Sequence, residues 1–393
     1  MLENKKTLII SSIILSILIV SVSYLWFSNN SRPAIEQNYK LENTEESSIP
    51  TTSSSQENND SIIKNSIGST FSFGIQGDSH PERAGKMFNS ELYKTTLQNV
   101  SKLNPNFYFL LGDDFSIEKL IENKNYTQQT VDEVYLNQKK YLDALSIPKY
   151  LVNGNHEQEA KYLLDGTNNN PAILAQNARA KFFDFPGAEN GYYSFEYGNA
   201  LFVVIDYYWH SDTAVDNIAG AKSTDKKQNN LWNNTLGDTQ YQWFKKTLET
   251  SKAKYKFVFT HHVLGTGRGG IEQAKLYEWG GYNKNGTWEF DKMRPGWELP
   301  IHQLMVKNGV TIFFQGHDHL FAKQVLDGVI YQEVPNPADD TYTAFNRDAY
   351  KTGDILPNSG FLDVTVSSDQ VKVDYIKSGQ SNNGQSIFSY IVK

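Results

Sequence analysis

The chain has 393 residues, 39% of them hydrophobic, and a net charge of −7. That is enough apolar material for a sizeable core, but an acidic protein of this kind cannot displace the counterions of duplex nucleic acid, which excludes that class of partner. The absence of cysteine removes thiolate nucleophiles, Cys-based zinc sites and disulfides together.

Lys5 and Lys6 precede a charge-free run over 7–27. At about 1.5 Å per residue, such a run spans about 30 Å of hydrocarbon. Tyr24, Trp26 and Phe27 close it with rings suited to the lipid–water boundary. Residues 1–27 are therefore expected to form a single-pass transmembrane helix in the lipid bilayer. The lysines lie inside and the rest of the chain lies outside the cytoplasmic membrane. The alternative is a cleaved signal segment, with Ser21 and Ser23 as the small residues before the cut, which gives a secreted protein. The length of the run and the lack of an A-x-A pattern favour the anchor. Residues 28–66 are rich in Ser, Thr, Asn, Gln and Glu. They bury too little apolar surface to offset ordering entropy and are expected as a disordered tether. The folded catalytic domain is expected over 67–393.

From there, short β-branched and aromatic runs end in polar clusters, the pattern of strands. Strands are expected over 71–76, 107–111, 150–152, 201–205, 255–260 and 310–315. Gly77-Asp78-Ser79-His80 follows the first, Gly112-Asp113-Asp114 the second and Asn153-Gly154-Asn155-His156-Glu157 the third. Asp206 follows the fourth, His261-His262 the fifth and Gly316-His317-Asp318-His319 the sixth. Helices are expected over 90–102, 131–145 and 238–251, and an antiparallel hairpin over 361–377. Alternating strands and helices make an α/β domain, in which ligands bind beyond the C-terminal strand ends. Asp, Asn and Gly at one strand end read as a turn, but turn chemistry does not demand His, and the repeated addition of His points to metal ligands. A metal pair that hydrolyses a phosphate ester needs oxygen and nitrogen ligands from several strand ends and a ligand that touches both ions.

The motifs D-x-H, G-D, G-N-H-E, a His pair and G-H-x-H, in that order, resemble those of the calcineurin-like metallophosphoesterase superfamily. The likeness runs over about 71–375. Supporting stretches are Gly191-Tyr192-Tyr193-Ser194-Phe195-Glu196-Tyr197-Gly198-Asn199 and Gln242-Trp243-Phe244. The resemblance implies a four-layer α/β/β/α sandwich of two mixed sheets flanked by helices. It implies two divalent or trivalent metal ions (Mn, Fe, Zn or Co), with Asp78, His80 and His319 on one, Asn155, His261 and His317 on the other, and Asp113 between them. It gives His156 the role of general acid or of hydrogen-bond donor to the phosphate. Attack by a metal-activated hydroxide is direct, without a covalent enzyme intermediate. The chain departs from the family at Val263, where Pro is common, and at Ser116, where purple acid phosphatases carry Tyr. A coloured iron–tyrosinate centre is therefore not expected.

Other residues are read from their positions. His262, Arg268 and His210 are candidates for binding substrate. Asp206 is read as orienting, and His302 as structural on a helix. Gly265-x-Gly267-x-x-Gly270 fits a dinucleotide fingerprint but lacks a following βαβ unit, so a mobile loop beside the metals is expected instead. His156-Glu157-Gln158-Glu159-Ala160 starts like a zinc-protease helix but lacks the second His. Two insertions, over 207–237 and 265–299, are expected to set the substrate. Tyr277, Trp279, Tyr282, Trp288 and Trp297 in the second either form a small loop core or stack on a base or apolar leaving group. The expected function is hydrolysis of a small phosphomonoester or phosphodiester. The alternatives are a nucleotide-directed hydrolase of the same fold and a non-catalytic, membrane-tethered binding protein.

Overall fold

In the computed structural model, which describes residues 70–157, 171–185, 191–207, 231–265 and 267–393, the apolar runs pair into two mixed sheets. The expected anchor at 1–27 and tether at 28–66 lie outside the described residues. Among those described, no helix is long and apolar enough to cross a membrane.

The strands in chain order are β1 (Phe71–Gln76), β2 (Phe107–Leu110), β3 (Lys149–Leu151), β4 (Tyr193–Tyr197), β5 (Ala200–Val204), β6 (Tyr255–Phe259) and β7 (Ile312–Gln315). They continue with β8 (Phe321–Leu326), β9 (Val329–Glu333), β10 (Asp354–Leu356), β11 (Gly360–Val366), β12 (Val371–Lys377) and β13 (Ser386–Val392). One sheet has the order β13-β12-β11-β1-β2-β3 and the other β10-β8-β9-β7-β6-β5-β4. Strands β1, β2 and β3 run parallel, as do β5, β6 and β7, so the ends that carry the polar clusters share one edge in each sheet.

The sheets meet face to face through phenylalanines. Phe109 stacks on Phe259 with centroids 4.2 Å apart, and Phe73 meets Phe202 edge-on at 5.1 Å. Burial on both sheet faces explains why β2 and β5 read as continuous apolar runs without alternation. Each buried Phe contributes about 1.5–3 kcal/mol relative to exposure.

Helices flank the sheets. Asn89 caps helix Ser90–Leu103 by accepting from the Glu91 and Leu92 N–H groups, and the helix ends at Asn104 in the left-handed region. Helix Gln128–Leu142 starts with a Thr127–Thr130 capping box. These two helices pack Tyr93, Leu97, Val100 and Tyr135 on the core around β1 and β2. On the other side, helix Gly237–Thr250 buries Tyr241, Phe244 and Leu248 against Leu201, Val203 and Val258.

The tail hairpin forms as β11 and β12, in register from Gly360↔Lys377 to Val366↔Val371. The second insertion is a loop core. Tyr277, Trp279 and Trp297 are buried, Trp279 Nε1 donates to the Tyr331 hydroxyl at 2.8 Å, and Trp297 stacks on Tyr241 at 3.8 Å. Tyr282 and Trp288 are exposed and pack edge-on against each other. The glycine-rich stretch at 265–270 leads only into the short helix Ile271–Ala274, not into a βαβ unit.

Candidate metal centre

The polar clusters stand just past the C-terminal ends of their strands, Asp78 and His80 after β1, Asp113 after β2 and Asn155 after β3. From the facing sheet come His261 after β6 and His317 and His319 after β7. Sharp reversals turn these side chains toward one another. Asp78, His80, Asp113, His317 and His319 all have positive φ, between 49° and 79°. Such backbone is unfavourable for residues with a Cβ and persists where the surroundings enforce it, commonly at functional sites. The loops are laced together: Asp78 N–H donates to Gly112 O at 2.9 Å, His80 N–H to Asp113 O at 3.1 Å, and Gly316 N–H to His261 O at 2.8 Å.

The side chains form two adjacent groups. Ligand atoms of Asp78, His80 and His319 lie within 4.8 Å of one another, and so do those of Asp113, His261 and His317. Asp113 also joins His80 and His156 in a third such group. Asp113 Oδ2 is 3.2 Å from His261 Nε2 and 3.6 Å from His80 Nε2, and Asp78 Oδ1 is 3.4 Å from His319 Nε2. All are buried, Asn155 included.

Hydrogen bonds set which nitrogen each ring offers. His261 Nδ1–H donates to the Leu111 carbonyl at 2.7 Å, which turns Nε2 toward Asp113. His80 Nδ1–H donates to Glu82 Oε1 at 2.8 Å, which turns Nε2 the same way. A carboxylate or carbonyl behind an imidazole is the usual support of a metal-ligating histidine. His317 Nε2 and His319 Nδ1 are buried without a hydrogen-bond partner. Imidazole nitrogens beside two carboxylates, His319 Nε2 at Asp78 and His261 and His80 Nε2 at Asp113, are a donor set that fits a pair of cations. The electrostatics agree. Burial opposes charging of His261, but Asp113 and Asp78 outweigh it and raise its pKa to about 10. Burial likewise opposes ionisation of Asp113, yet His261 and His156 hold its carboxyl well below the usual range. Burial and Arg268 push His317 well down. The carboxylates thus favour positive charge beside them, which His261 accepts and His317 resists.

Further groups hold the loops. Glu157 accepts backbone N–H groups from Asp113, Asp114, Phe115 and Gly154 at 2.7–2.9 Å. The Asp78 carboxylate accepts the His317 N–H at 2.8 and 2.9 Å, tying one sheet to the other. Asp318 accepts from Gly269 N–H and the Tyr350 hydroxyl, both at 2.7 Å, and its own N–H donates to Glu333.

A cavity of about 120 Å³ opens on this cluster, lined by His80, Arg83, Met87, Asp113, Asn155, His156, Arg268, His317, His319 and Phe345. Of the candidates for binding substrate, Arg268 lines it but is tied by Nη1 to the His317 carbonyl and to Asp318 Oδ1 at 3.0 Å. His262 does not line it. Its ring nitrogens face the carbonyls of Val263, at 2.6 Å, and Gly269, at 3.1 Å, so it holds the loop rather than a substrate. His210 lies outside the described residues. Asp206 orients Asn153, whose Nδ2 donates to Asp206 Oδ2 at 2.8 Å. His302 is structural, held between Tyr331 and Asp327 on helix Ile301–Lys307. Sequence reasoning missed Glu82 and Arg83, two and three residues beyond the D-x-H motif, and Phe345, half-exposed and edge-on to His319 at 5.7 Å. Closeness to D-x-H was a signal for the first two; Phe345 has none.

A family model described as calcineurin-like phosphoesterase matches residues 71–321. No curated protein matches the chain. Similar solved structures include the purple acid phosphatase PPD1 from yellow lupin (Lupinus luteus) seeds, 17% identical over 84% of this chain, with a TM-score of 0.50. This chain spans only 54% of that one. PhoD is 16% identical over 83% of this chain and 69% of its own, with a TM-score of 0.51. A dimetal phosphatase from Danio rerio is 14% identical over 82% of this chain and 98% of its own, with a TM-score of 0.49. At these identities the likeness is one of fold.

Proposed function

We propose that this chain, which belongs to the calcineurin-like phosphoesterase family and is by that membership a phosphoester hydrolase, hydrolyses a small phosphate ester with a pair of metal ions. Asp78, His80 and His319 would hold one ion, Asn155, His261 and His317 the other, with Asp113 between them. The observation that carries the reading is that these side chains, from the ends of strands in two sheets, converge beside one cavity. When bound, such a pair makes water acidic enough to attack near neutral pH and offsets the charge that builds on the phosphoryl oxygens.

The chain's own residues do the rest. The supports behind His80 and His261 fix which nitrogen each ring presents. Glu157 fixes the loops that carry Asp113 and Asn155. His156 lines the cavity, with Nε2 3.9 Å from Asp113 Oδ2, and is the group for protonating or hydrogen-bonding the ester oxygen. The second insertion does not favour a nucleotide: Tyr277, Trp279 and Trp297 are packed inside, and neither Tyr282 nor Trp288 lines the cavity; most of the first lies outside the described residues. The charge-free run over 7–27 behind Lys5 and Lys6 supports anchoring, with the catalytic domain at 67–393 held outside the cytoplasmic membrane by the tether at 28–66.

The test is turnover of 4-nitrophenyl phosphate and bis(4-nitrophenyl) phosphate by the detergent-solubilised full chain. Activity should vanish on chelation and return with Mn²⁺, Zn²⁺, Co²⁺ or iron. Full activity after exhaustive chelation would refute the metal mechanism. Cleavage of the domain by protease added to intact cells checks its placement; complete protection would refute it.

A further inference from the structure

Arg83 reaches the cavity from the short turn Pro81–Arg83. Its Nη2 lies 2.9 Å from His156 Nε2. A guanidinium only donates, so the imidazole nitrogen accepts while this contact is made; when Arg83 turns to a substrate oxygen, that nitrogen is open to carry a proton. The other contacts of Arg83 are loose. Nε is 3.5 Å from Glu82 Oε1, Nη2 is 4.0 Å from Glu118 Oε2, and Nη1 donates to Met87 Sδ at 3.4 Å. A charge-assisted bond to a carboxylate closes to about 2.7–2.9 Å. Glu82 makes its short contact with His80 instead, at 2.8 Å.

Among the described residues, then, Arg83 has carboxylates nearby but no hydrogen-bonded anion, and its side chain is 28% exposed at the rim of the cavity. A residue serving only to neutralise Glu82 and Glu118 would close on them. Arg83 turns its donor inward, while Arg268 on the same cavity is anchored to His317 and Asp318. The cavity, about 120 Å³, is small beside the roughly 300–1,000 Å³ that encloses a whole drug-sized ligand. It takes the reacting group and leaves the remainder of the substrate at the mouth.

We propose that Arg83 is a substrate-binding residue that grips a free oxygen of the phosphoryl group and so selects phosphomonoesters over phosphodiesters. A monoester presents three free oxygens carrying up to two negative charges, whereas a diester presents two carrying one. The added oxygen and charge are what a guanidinium fork at the rim can grip. This inference rests on the phosphoesterase reading above and narrows its substrate class.

The experiment uses the metal-reconstituted full chain and its Arg83→Met and Arg83→Lys variants. Calorimetry measures binding of inorganic phosphate, and kcat/KM is compared for 4-nitrophenyl phosphate and methyl 4-nitrophenyl phosphate. Loss of one charge-assisted hydrogen bond should weaken phosphate binding by about 10- to 100-fold in Arg83→Met. The monoester-to-diester preference should fall by a similar factor, and Arg83→Lys, which keeps the charge without the fork, should fall between. Phosphate affinity within twofold of wild type, or equal losses on both esters, would overturn the assignment. If the wild-type chain hydrolyses neither ester, the functional reading fails, while the calorimetric comparison still judges Arg83. Should Arg83→Met not fold, Arg83→Lys carries the same comparison.

Discussion

Glu157 Oε2 accepts the backbone N–H of Asp113 at 2.7 Å, binding the loop after β3 to the loop after β2. The same oxygen takes Gly154 N–H at 2.8 Å, and Oε1 takes Asp114 and Phe115 N–H at 2.8 and 2.9 Å. Glu157→Gln would turn an amide NH₂ toward those donors and leave at least one buried N–H unpaired. The expected loss is about 1–3 kcal/mol of stability, with metal affinity down by about 10- to 100-fold. Urea denaturation and metal titration measure both, and wild-type values in both would remove Glu157 from this role.

Gly154 has no room for a side chain. A Cβ there would stand 2.5 Å from Asp113 N and 2.8 Å from Glu157 Oε2, and would also run into Asp113 Oδ1. Gly154→Ala should therefore displace Asp113 and abolish binding of at least one ion. The variant's metal content after dialysis against excess metal is the check, and full occupancy would contradict the packing described.

Asp113→Asn keeps the shape of the side chain, and its remaining oxygen can still accept the His156 N–H, which sits 2.9 Å from Asp113 Oδ1. The charge facing His261 and His80 is lost. Turnover should drop by at least about a hundredfold while the fold survives. His156→Ala should lower kcat by a similar order with metal content unchanged. Steady-state rates with metal analysis separate the two; a His156→Ala enzyme as fast as wild type would exclude both roles given to that ring.

Away from the site, Asp363 faces Asp374 across the β11–β12 ladder, and its Oδ1 is buried without a partner. Asp374 is satisfied by Lys372 Nζ at 2.7 Å and Ser386 Oγ at 2.8 Å. Burial, then the Asp374 charge, raises the Asp363 carboxyl to about 6. Its pKa is higher in the folded than in the unfolded chain, so the native state binds the proton more tightly. This residue's effect on stability is therefore favourable as pH falls from about 6 to 4 and unfavourable as pH rises through that window. Asp363→Asn should stabilise the protein near pH 7.5 by about 1–2 kcal/mol, discounted for partial exposure, with little gain near pH 4. Denaturant midpoints at the two pH values test this, and a gain of the same size at both would contradict it.

Much of this architecture can be read before folding, because a strand buried on both faces must be apolar and its end must then announce any polar task. Asp78, Asp113, His261 and His317 each follow a largely buried strand, and Asn155 follows the half-buried β3. Boundaries shift by a residue or two because pairing sets the end of a strand: β7 begins at Ile312, although Val310 is also buried. Short partners such as β4, β8, β9 and β10 gain their order from neighbours in the sheet, so their own sequences say little. Left-handed backbone at Asp78 or His319 has no residue code, since glycine does not stand there. Arg83 gave no periodic signal. Its meaning comes from His156, 73 positions away in the chain, beside its guanidinium. The aromatic insertion read two ways, and only the burial of Trp279 and Trp297 shows that packing claims those rings.

The most direct measurement of the central claim is anomalous diffraction from crystals of the full chain soaked in Mn²⁺ or Zn²⁺. Two peaks should appear, one among Asp78, His80 and His319 and the other among Asn155, His261 and His317, with Asp113 reaching both. A single peak, or peaks away from these side chains, would contradict the account.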